Sequence, residues 1–263
     1  MTSLSAAIRA ALLESDPRAK VMRTRALVRD WRAGRLALSF DVVLPDEPGR
    51  PERPELLPPN RMPKRGKGGS ERGLIALWHA LAHIEFVAID LALDMAGRFG
   101  AVMGEPFVSD FLKVAAEEAL HFALIERHLQ SLGSHYGALP AHSGLWDAAR
   151  ATAHDVAARL AVVPMVLEAR GLDVTPQTLE GVRAAGDLRG ARILERILDD
   201  DIAHVGVGEK HFIALTTARG DSPPEVWKML VARHFRGSVK PPFNDSARLR
   251  AGLSRSFYAE VAC

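Results

Sequence analysis

Four long segments of the chain have the apolar periodicity of amphipathic helices, and each carries an acidic residue inside its apolar stripe. These acids are Glu85, Glu118, Glu168 and Asp201. Burying one uncompensated carboxylate costs several kcal/mol, against a net stability of about 5–15 kcal/mol for a whole domain. Four acids on core-facing stripes therefore predict a compensating cation inside a helical bundle.

Two of the acids are followed three residues later by a histidine, in the pairs Glu118/His121 and Asp201/His204. Three residues are slightly less than one helical turn, so the carboxylate and the imidazole project from the same face. The lone Glu precedes the acid of the pair by 33 residues in both halves, and each residue of the second half lies 83 residues after its counterpart. This repeat predicts two helical hairpins related by a pseudo-two-fold axis.

Ferritin-like proteins with two iron or two manganese ions have a characteristic ligand pattern. Two of their helices each supply a lone Glu, and the other two each supply an acid-x-x-His pair, as predicted here. Oxygen-rich ligation with two imidazoles suits iron or manganese, and the lack of thiolates disfavours structural zinc. The alternative is that the acids lie on solvated faces by coincidence. The spacing favours a dinuclear site, whose predicted ligands are Glu85, Glu118, His121, Glu168, Asp201 and His204.

The whole pattern predicts an all-α fold: a ferritin-like four-helix bundle with one long crossover, extra N- and C-terminal helices and a Pro-rich extended arm. The crossover is the connection over residues 134–144, which contains Gly137 and Pro140. The predicted bundle helices are 71–98, stopped by Gly97 and Gly100, then 107–132, 145–170 with a kink near Pro164 and an end at Gly171, and 187–219. Shorter helices are predicted over 3–14, 17–33, 176–185, 224–236 and 245–260.

The predicted domain organisation has three parts. Residues 1–70 form an N-terminal helical appendage and a Pro-rich arm, because seven prolines between positions 45 and 70 favour extended backbone. Residues 71–220 form the bundle, and residues 221–263 form helices packed on it.

Composition bounds the compartment and the partners. Charged residues interrupt every apolar run of the length that a membrane span requires, and the single cysteine, Cys263, has no internal partner, so we expect a cytoplasmic protein. Residues 1–72 contain 15 Lys and Arg against 9 Asp and Glu, and the remainder contains 19 against 23. The basic patch Arg61, Lys64, Arg65 and Lys67 is either a solvated surface or a contact for an anion or nucleic acid.

Several long motifs resemble one known family. The stretches HALAHIEFVAIDLALD, VAAEEALHFALIERHLQSLGSHYG, LEARGLDVTP, DDDIAHVGVGEKHF and KPPFNDSARLRAG are similar to the bacterial ferritin-like family catalogued as domain of unknown function 455. The resemblance covers nearly the whole chain and implies a ferritin-like fold with a metal site. Family members usually have Glu where this chain has Asp201. Because Asp is one methylene shorter, its carboxylate is expected to reach one metal only or to bridge through a water.

The ligand pattern suggests an oxygen-dependent oxidoreductase or hydroxylase of unknown substrate. A small molecule and a group attached to RNA are both considered, the second only by analogy with a hydroxylase of prenylated tRNA that uses such a bundle. A non-catalytic protein that binds or handles iron is the second interpretation, and a nucleic-acid-binding adaptor, supported by the basic front segment alone, is the third. Outside the six predicted ligands, His79 and His83 are expected to form hydrogen bonds in the core or on the surface rather than to bind a third metal. A tyrosyl-radical role has little support, because neither Tyr136 nor Tyr258 is near a predicted ligand in sequence.

Overall fold

The computed structural model describes residues 2–58, 61–62 and 70–261, and in that part of the chain the secondary structure is almost entirely helical. This confirms the all-α prediction. Two very short strands, β1 (Thr2–Ser3) and β2 (Leu36–Ala37), pair in parallel with Thr2 opposite Leu36. The helices are α1 (Leu4–Leu12), α2 (Pro17–Arg32), α3 (Glu71–Met103), α4 (Glu105–Ser131), α5 (Gly144–Ala151), α6 (Val156–Val162), α7 (Ala169–Ala184), α8 (Leu188–Ala218), α9 (Pro223–His234), α10 (Asp245–Arg250) and α11 (Arg255–Tyr258); a π-helical turn, Val163–Glu168, joins α6 to α7.

The chain divides into two compact units, Met1–Gly144 and Leu145–Cys263. In the first unit α3 packs along α4, while α1 and α2 pack on this pair. In the second unit α8 packs against α6, the π-helical turn and α7, and the shorter C-terminal helices pack on these elements. The ferritin-like arrangement and the three-part division at 70 and 220 stay predictions.

A buried ion pair joins α2 to α3 in the first unit. The Lys20 side chain is fully buried; its Nζ lies 2.5 Å from Asp90 Oδ1 and donates to the carbonyl oxygens of Leu12 and Gly49 at 3.2 and 3.1 Å. Arg50 Nη1 lies 2.7 Å from the second Asp90 oxygen. The predicted helix 17–33 therefore carries one basic residue that belongs to the core rather than to the surface.

The prediction that Gly97 and Gly100 end the first bundle helix is wrong, because α3 continues to Met103. A Cβ on Gly97 would lie 2.6 Å from Leu44 Cδ1, and one on Gly100 would lie 2.6 Å from Phe40 Cζ. These glycines therefore make room for side chains of the preceding segment. The helix ends instead at Gly104, whose φ of 85° is unfavourable for other residues.

The predicted helix 145–170 is interrupted and does not end at Gly171. Arg159, which is buried on α6, donates to the carbonyl oxygen of Ala149 and to Thr152 Oγ1, so it satisfies the end of α5. Asp155 then caps α6 by accepting from the amide of Ala157 at 2.8 Å. Beyond Gly171 the helix α7 runs to Ala184 and includes the segment predicted as a separate helix over 176–185.

The helix α7 continues through Pro176 because another residue satisfies the backbone group that proline leaves open. Proline has no N–H to donate to the carbonyl of residue 172. Asn244 Nδ2 donates to that Leu172 oxygen at 3.1 Å, and the Asn244 amide donates to Asp173 Oδ1. Arg248, on α10, forms a two-pronged ion pair with Asp173 at 2.8 and 2.7 Å. Contacts between the motifs LEARGLDVTP and KPPFNDSARLRAG thus hold α10 against α7.

The C-terminal segment predicted as one helix over 245–260 consists of α10 and α11. Gly252, with a φ of 83°, lies between them and turns the chain. In the Pro-rich segment, Leu57 donates its amide to the carbonyl of Ala141, and Ala141 donates to the carbonyl of Glu55, so part of this segment is extended as predicted. Lys64, Arg65, Lys67 and Cys263 lie outside the described residues.

The helix α3 is long and apolar enough to cross a membrane by length and composition. However, 56% of its most apolar window is buried within the structure. The core helix of a water-soluble bundle has the same properties, so this helix is weak evidence for a membrane span.

Candidate metal centre

The helix pair α3–α4 brings together one lone Glu and one Glu-x-x-His pair. His121 Nδ1 lies 3.3 Å from Glu85 Oε2 and 3.3 Å from Glu118 Oε2. All three side chains are buried, and one donor atom from each lies within 4.8 Å of those of the others. We call Glu85, Glu118 and His121 the first triad.

Burial and mutual repulsion make the first triad a site that requires positive charge. Burial, together with repulsion from Glu118, raises the pKa of Glu85 to about 8, although His121 opposes the shift. Burial alone would lower the pKa of His121, but hydrogen bonds and attraction to Glu118 and Glu85 outweigh it and raise the pKa to about 11. Protons held on these side chains therefore supply the positive charge that a metal ion would supply when bound.

The second unit brings together the corresponding residues of the second half. His204 Nδ1 lies 3.2 Å from Glu168 Oε1 and 3.7 Å from Asp201 Oδ1. Donor atoms of these three side chains also lie within 4.8 Å of one another. We call them the second triad. Its imidazole is buried, but the side chains of Glu168 and Asp201 are 24% and 13% exposed, so the second triad is looser and wetter than the first.

A π-helical turn positions Glu168, the last residue of that turn. The turn coincides with the kink predicted near Pro164, whose ring cannot continue a regular helical hydrogen-bond ladder. The Pro164 ring can approach α8 closely because the residue of α8 that faces it is Gly208. A Cβ at Gly208 would lie 2.5 Å from Pro164 Cβ and Cγ. Single π-helical turns are frequent at functional sites, since they re-aim side chains within a helix.

The donor atoms of each triad are spaced as the ligands of a metal ion are. Ligand atoms about 2.1 Å from an ion, at neighbouring corners of an octahedron, lie roughly 3 Å apart. The separations of 3.3 Å in the first triad and 3.2 Å in the second are close to that spacing. Two carboxylates and one imidazole per triad suit iron and manganese by donor chemistry. The clusters of acidic and histidine side chains that the sequence predicts are thus present, and each triad can hold a metal ion.

All six predicted ligands are accounted for in these two triads, three in each unit. The distance from His204 to Asp201 is the longest of the four histidine-to-carboxylate distances. This is expected, because the Asp side chain is one methylene shorter than that of Glu. Their assignment as ligands of one dinuclear centre stays a prediction.

The sequence analysis missed the position of Tyr136, which packs against α3 and α4, the two helices that carry the first triad. Its phenol donates to His83 Nδ1 at 2.9 Å, and His83 Nε2 donates to the carbonyl of His142 at 3.0 Å. Its ring packs at 5.2 Å from Phe86 and from Phe122, the neighbours in sequence of Glu85 and His121. Because Tyr136 belongs to the loop after α4, helical spacing gives no signal for this contact.

His79 and His83 form hydrogen bonds in the core, which agrees with the interpretation favoured by the sequence. His79 Nε2 accepts from the amides of Gly137 and Leu139 at 3.0 and 3.3 Å. Both rings are buried, and burial is the main cause that lowers the pKa of each to about 4. Both imidazoles are therefore neutral at neutral pH and hold the loop after α4 against α3.

Comparison with known proteins identifies one family. The family described as "Protein of unknown function (DUF455)" matches residues 13–259. A Haemophilus influenzae protein named "Uncharacterized protein" is 44% identical over 211 residues, which cover 78% of this chain and 73% of that protein. No solved structure matches the chain.

Proposed function

The chain belongs to the family described as protein of unknown function DUF455, and we propose that it is a cytoplasmic dinuclear iron or manganese protein that uses dioxygen to oxidise a substrate. One observation carries the proposal: the first triad buries two carboxylates and one imidazole with donor atoms 3.3 Å apart. The repeated separations of 33 and 83 residues support extending the site to both triads. When bound, a pair of redox-active ions supplies electrons for the reduction of dioxygen.

The first triad holds and releases protons in this proposal. The raised pKa values of Glu85 and His121 keep protons on the triad while no cation is bound. Metal binding must displace these protons, so affinity falls as the pH is lowered. Apolar residues one turn away on α3 and α4, among them Ile89 and Ile125, are fully buried and exclude water from the triad.

The substrate proposed is a small molecule or a group attached to RNA, and its identity does not follow from the ligands. A second candidate function, metal binding or iron handling without catalysis, is favoured by one specific observation. Asp201 lies 3.7 Å from His204, farther than Glu168 does, so the second triad holds a metal less firmly. Under this alternative the protein binds iron but oxidises no substrate.

Oxygen consumption distinguishes the two functions. We expect anaerobically loaded Fe(II) protein to consume oxygen rapidly when air is admitted, and to do so repeatedly when a chemical reductant is supplied. Glu118→Gln should abolish the rapid phase, because it removes one carboxylate charge from the first triad. Glu117→Gln is the matched control, since Glu117 is the preceding residue and pairs with Lys113 at 3.5 Å. Stoichiometric iron without repeated oxygen consumption would contradict the oxidase and favour the binding function.

A further inference from the structure

A cavity of about 540 Å³ lies between α2 and α4 in the first unit, apart from the triad residues. Arg18, Met22 and Arg25 line it from α2, and Phe122 and Arg127 line it from α4, with Tyr136 from the following loop. The α2 residues are four and three positions apart, so they share one helix face. Pockets for small organic ligands span roughly 300–1,000 Å³, and this one falls within that range.

The cavity has an excess of uncommitted positive charge. The guanidinium groups of Arg18, Arg25 and Arg127 are exposed, and none forms an ion pair with any residue that the structure describes. The two carboxylates at the cavity, Asp16 and Glu126, keep their negative charge, so the lining has one net positive charge, but their hydrogen bonds come from neutral donors and not from these arginines. Asp16 accepts from the amide of Ala19 at 2.7 Å, and Glu126 accepts from the amide of Tyr136 and from the side chain of Gln130.

The same cavity has an apolar side. Phe122 and Tyr136 are buried in its wall, and Met22 is 61% exposed, although it is a large apolar side chain. The Tyr136 phenol donates to His83, so that tyrosine offers its ring to the cavity. An exposed methionine between two arginines on one helix face indicates a ligand with both an anionic and an apolar part.

We propose that this cavity binds a small organic phosphate. Arginine matches phosphate in shape because its planar guanidinium donates two parallel hydrogen bonds, and three arginines offer more such donors than the two oxygens of a carboxylate can accept from in parallel. The phosphate lies among Arg18, Arg25 and Arg127, and the apolar part of the ligand contacts Met22 and the ring of Tyr136. The site is independent of the metal centre proposed above.

Phenyl phosphate and inorganic phosphate are suitable probes, because they share the anion and differ in the ring. Titration calorimetry at pH 8 with the full chain should detect both, with phenyl phosphate bound about tenfold more tightly through the apolar contacts. Arg25→Gln and Arg127→Gln should each weaken both ligands at least tenfold, since a hydrogen bond to a charged group is lost. Repeating the titration after treatment with a chelator removes any contribution from bound metal.

Arg29→Gln is the matched control, because Arg29 is an exposed arginine of the same helix outside the cavity. It changes the net charge equally and should leave both affinities unchanged. Met22→Gln should reduce the preference for phenyl phosphate without weakening inorganic phosphate. Failure of both probes to bind at millimolar concentration, or equal weakening by Arg29→Gln, would overturn the proposal. A short RNA that binds far more tightly than phenyl phosphate and displaces it would also overturn the proposal, because this result would assign the arginines to nucleic acid.

Discussion

The buried Lys20–Asp90 ion pair gives a quantitative prediction about the first unit. Both side chains are fully buried, and Lys20 Nζ has three oxygen partners: Asp90 and the carbonyls of Leu12 and Gly49. Burial lowers the pKa of Lys20 and raises that of Asp90, while each opposes the shift of the other. Each charge therefore depends on its partner to remain ionised in the core.

The magnitudes follow from which charge is left behind. Asp90→Asn leaves Lys20 and Arg50 without their shared carboxylate, and removing one member of a buried pair costs about 3–5 kcal/mol of unfolding free energy. Lys20→Met removes the ammonium, but Arg50 still lies 2.7 Å from Asp90, so we expect a smaller loss of about 2–3 kcal/mol. The double variant should lose about 2 kcal/mol less than the sum of the two single losses.

Urea unfolding followed by tryptophan fluorescence measures these free energies when Trp146 and Trp227 of the second unit are replaced by Phe in every protein compared, so that Trp31 and Trp78 of the first unit give the signal. Arg23→Met is the control, because the Arg23–Glu14 pair is largely exposed and should contribute about 1 kcal/mol or less. A loss in the double variant that equals the sum of the two single losses within about 0.5 kcal/mol would refute the reasoning, because independent sites give additive losses.

Three further predictions concern other parts of the structure. The pKa of His79 is lowered to about 4 from an ordinary value of 6.5. The neutral ring therefore stabilises the fold fully above pH 6.5, and about 3 kcal/mol of that stability is lost as the pH falls towards 4. The unfolding free energy measured across this range should depend less steeply on pH in His79→Gln than in wild type. Gly208→Ala should lower the unfolding free energy of the second unit by about 1–3 kcal/mol, because its Cβ would overlap Pro164, and an unchanged stability would contradict the close contact. The control Gly206→Ala, whose Cβ meets nothing nearer than 3.5 Å, should be neutral or stabilising. Asp173→Asn should cost about 3–5 kcal/mol and expose the segment before α10 to limited proteolysis, whereas wild-type resistance in the variant would contradict the anchoring role of the Arg248 pair.

The long helices could be predicted because their apolar periodicity is a local property of the sequence. Their interruptions could not, because the deciding partners are distant. Whether Gly97 stops a helix or admits a neighbour depends on Leu44, and whether Pro176 breaks α7 depends on Asn244. The break before α6 depends on the buried side chain of Arg159. Local residue preferences contain none of this information.

The two triads were within reach of the sequence because a Glu or Asp and a His three residues apart must share a helix face. Their pairing with a lone Glu follows from the repeated 33-residue separation. Neither the position of Tyr136 nor the cavity that it lines could be predicted, since the sequence of a loop has no periodicity that would reveal its contacts. The core position of Lys20 was also missed, because lysine in an arginine-rich helix resembles a surface residue until its partner on α3 is known.

The central claim is that the six carboxylate and histidine side chains hold a pair of metal ions. Its most direct test is the iron content by mass spectrometry after anaerobic loading and desalting, for wild type, His121→Ala and the exposed control His135→Ala. We expect about two equivalents per chain in wild type and in the control, and a loss of at least half in His121→Ala. Iron contents that are equal in all three proteins, or absent from all three, would contradict the claim.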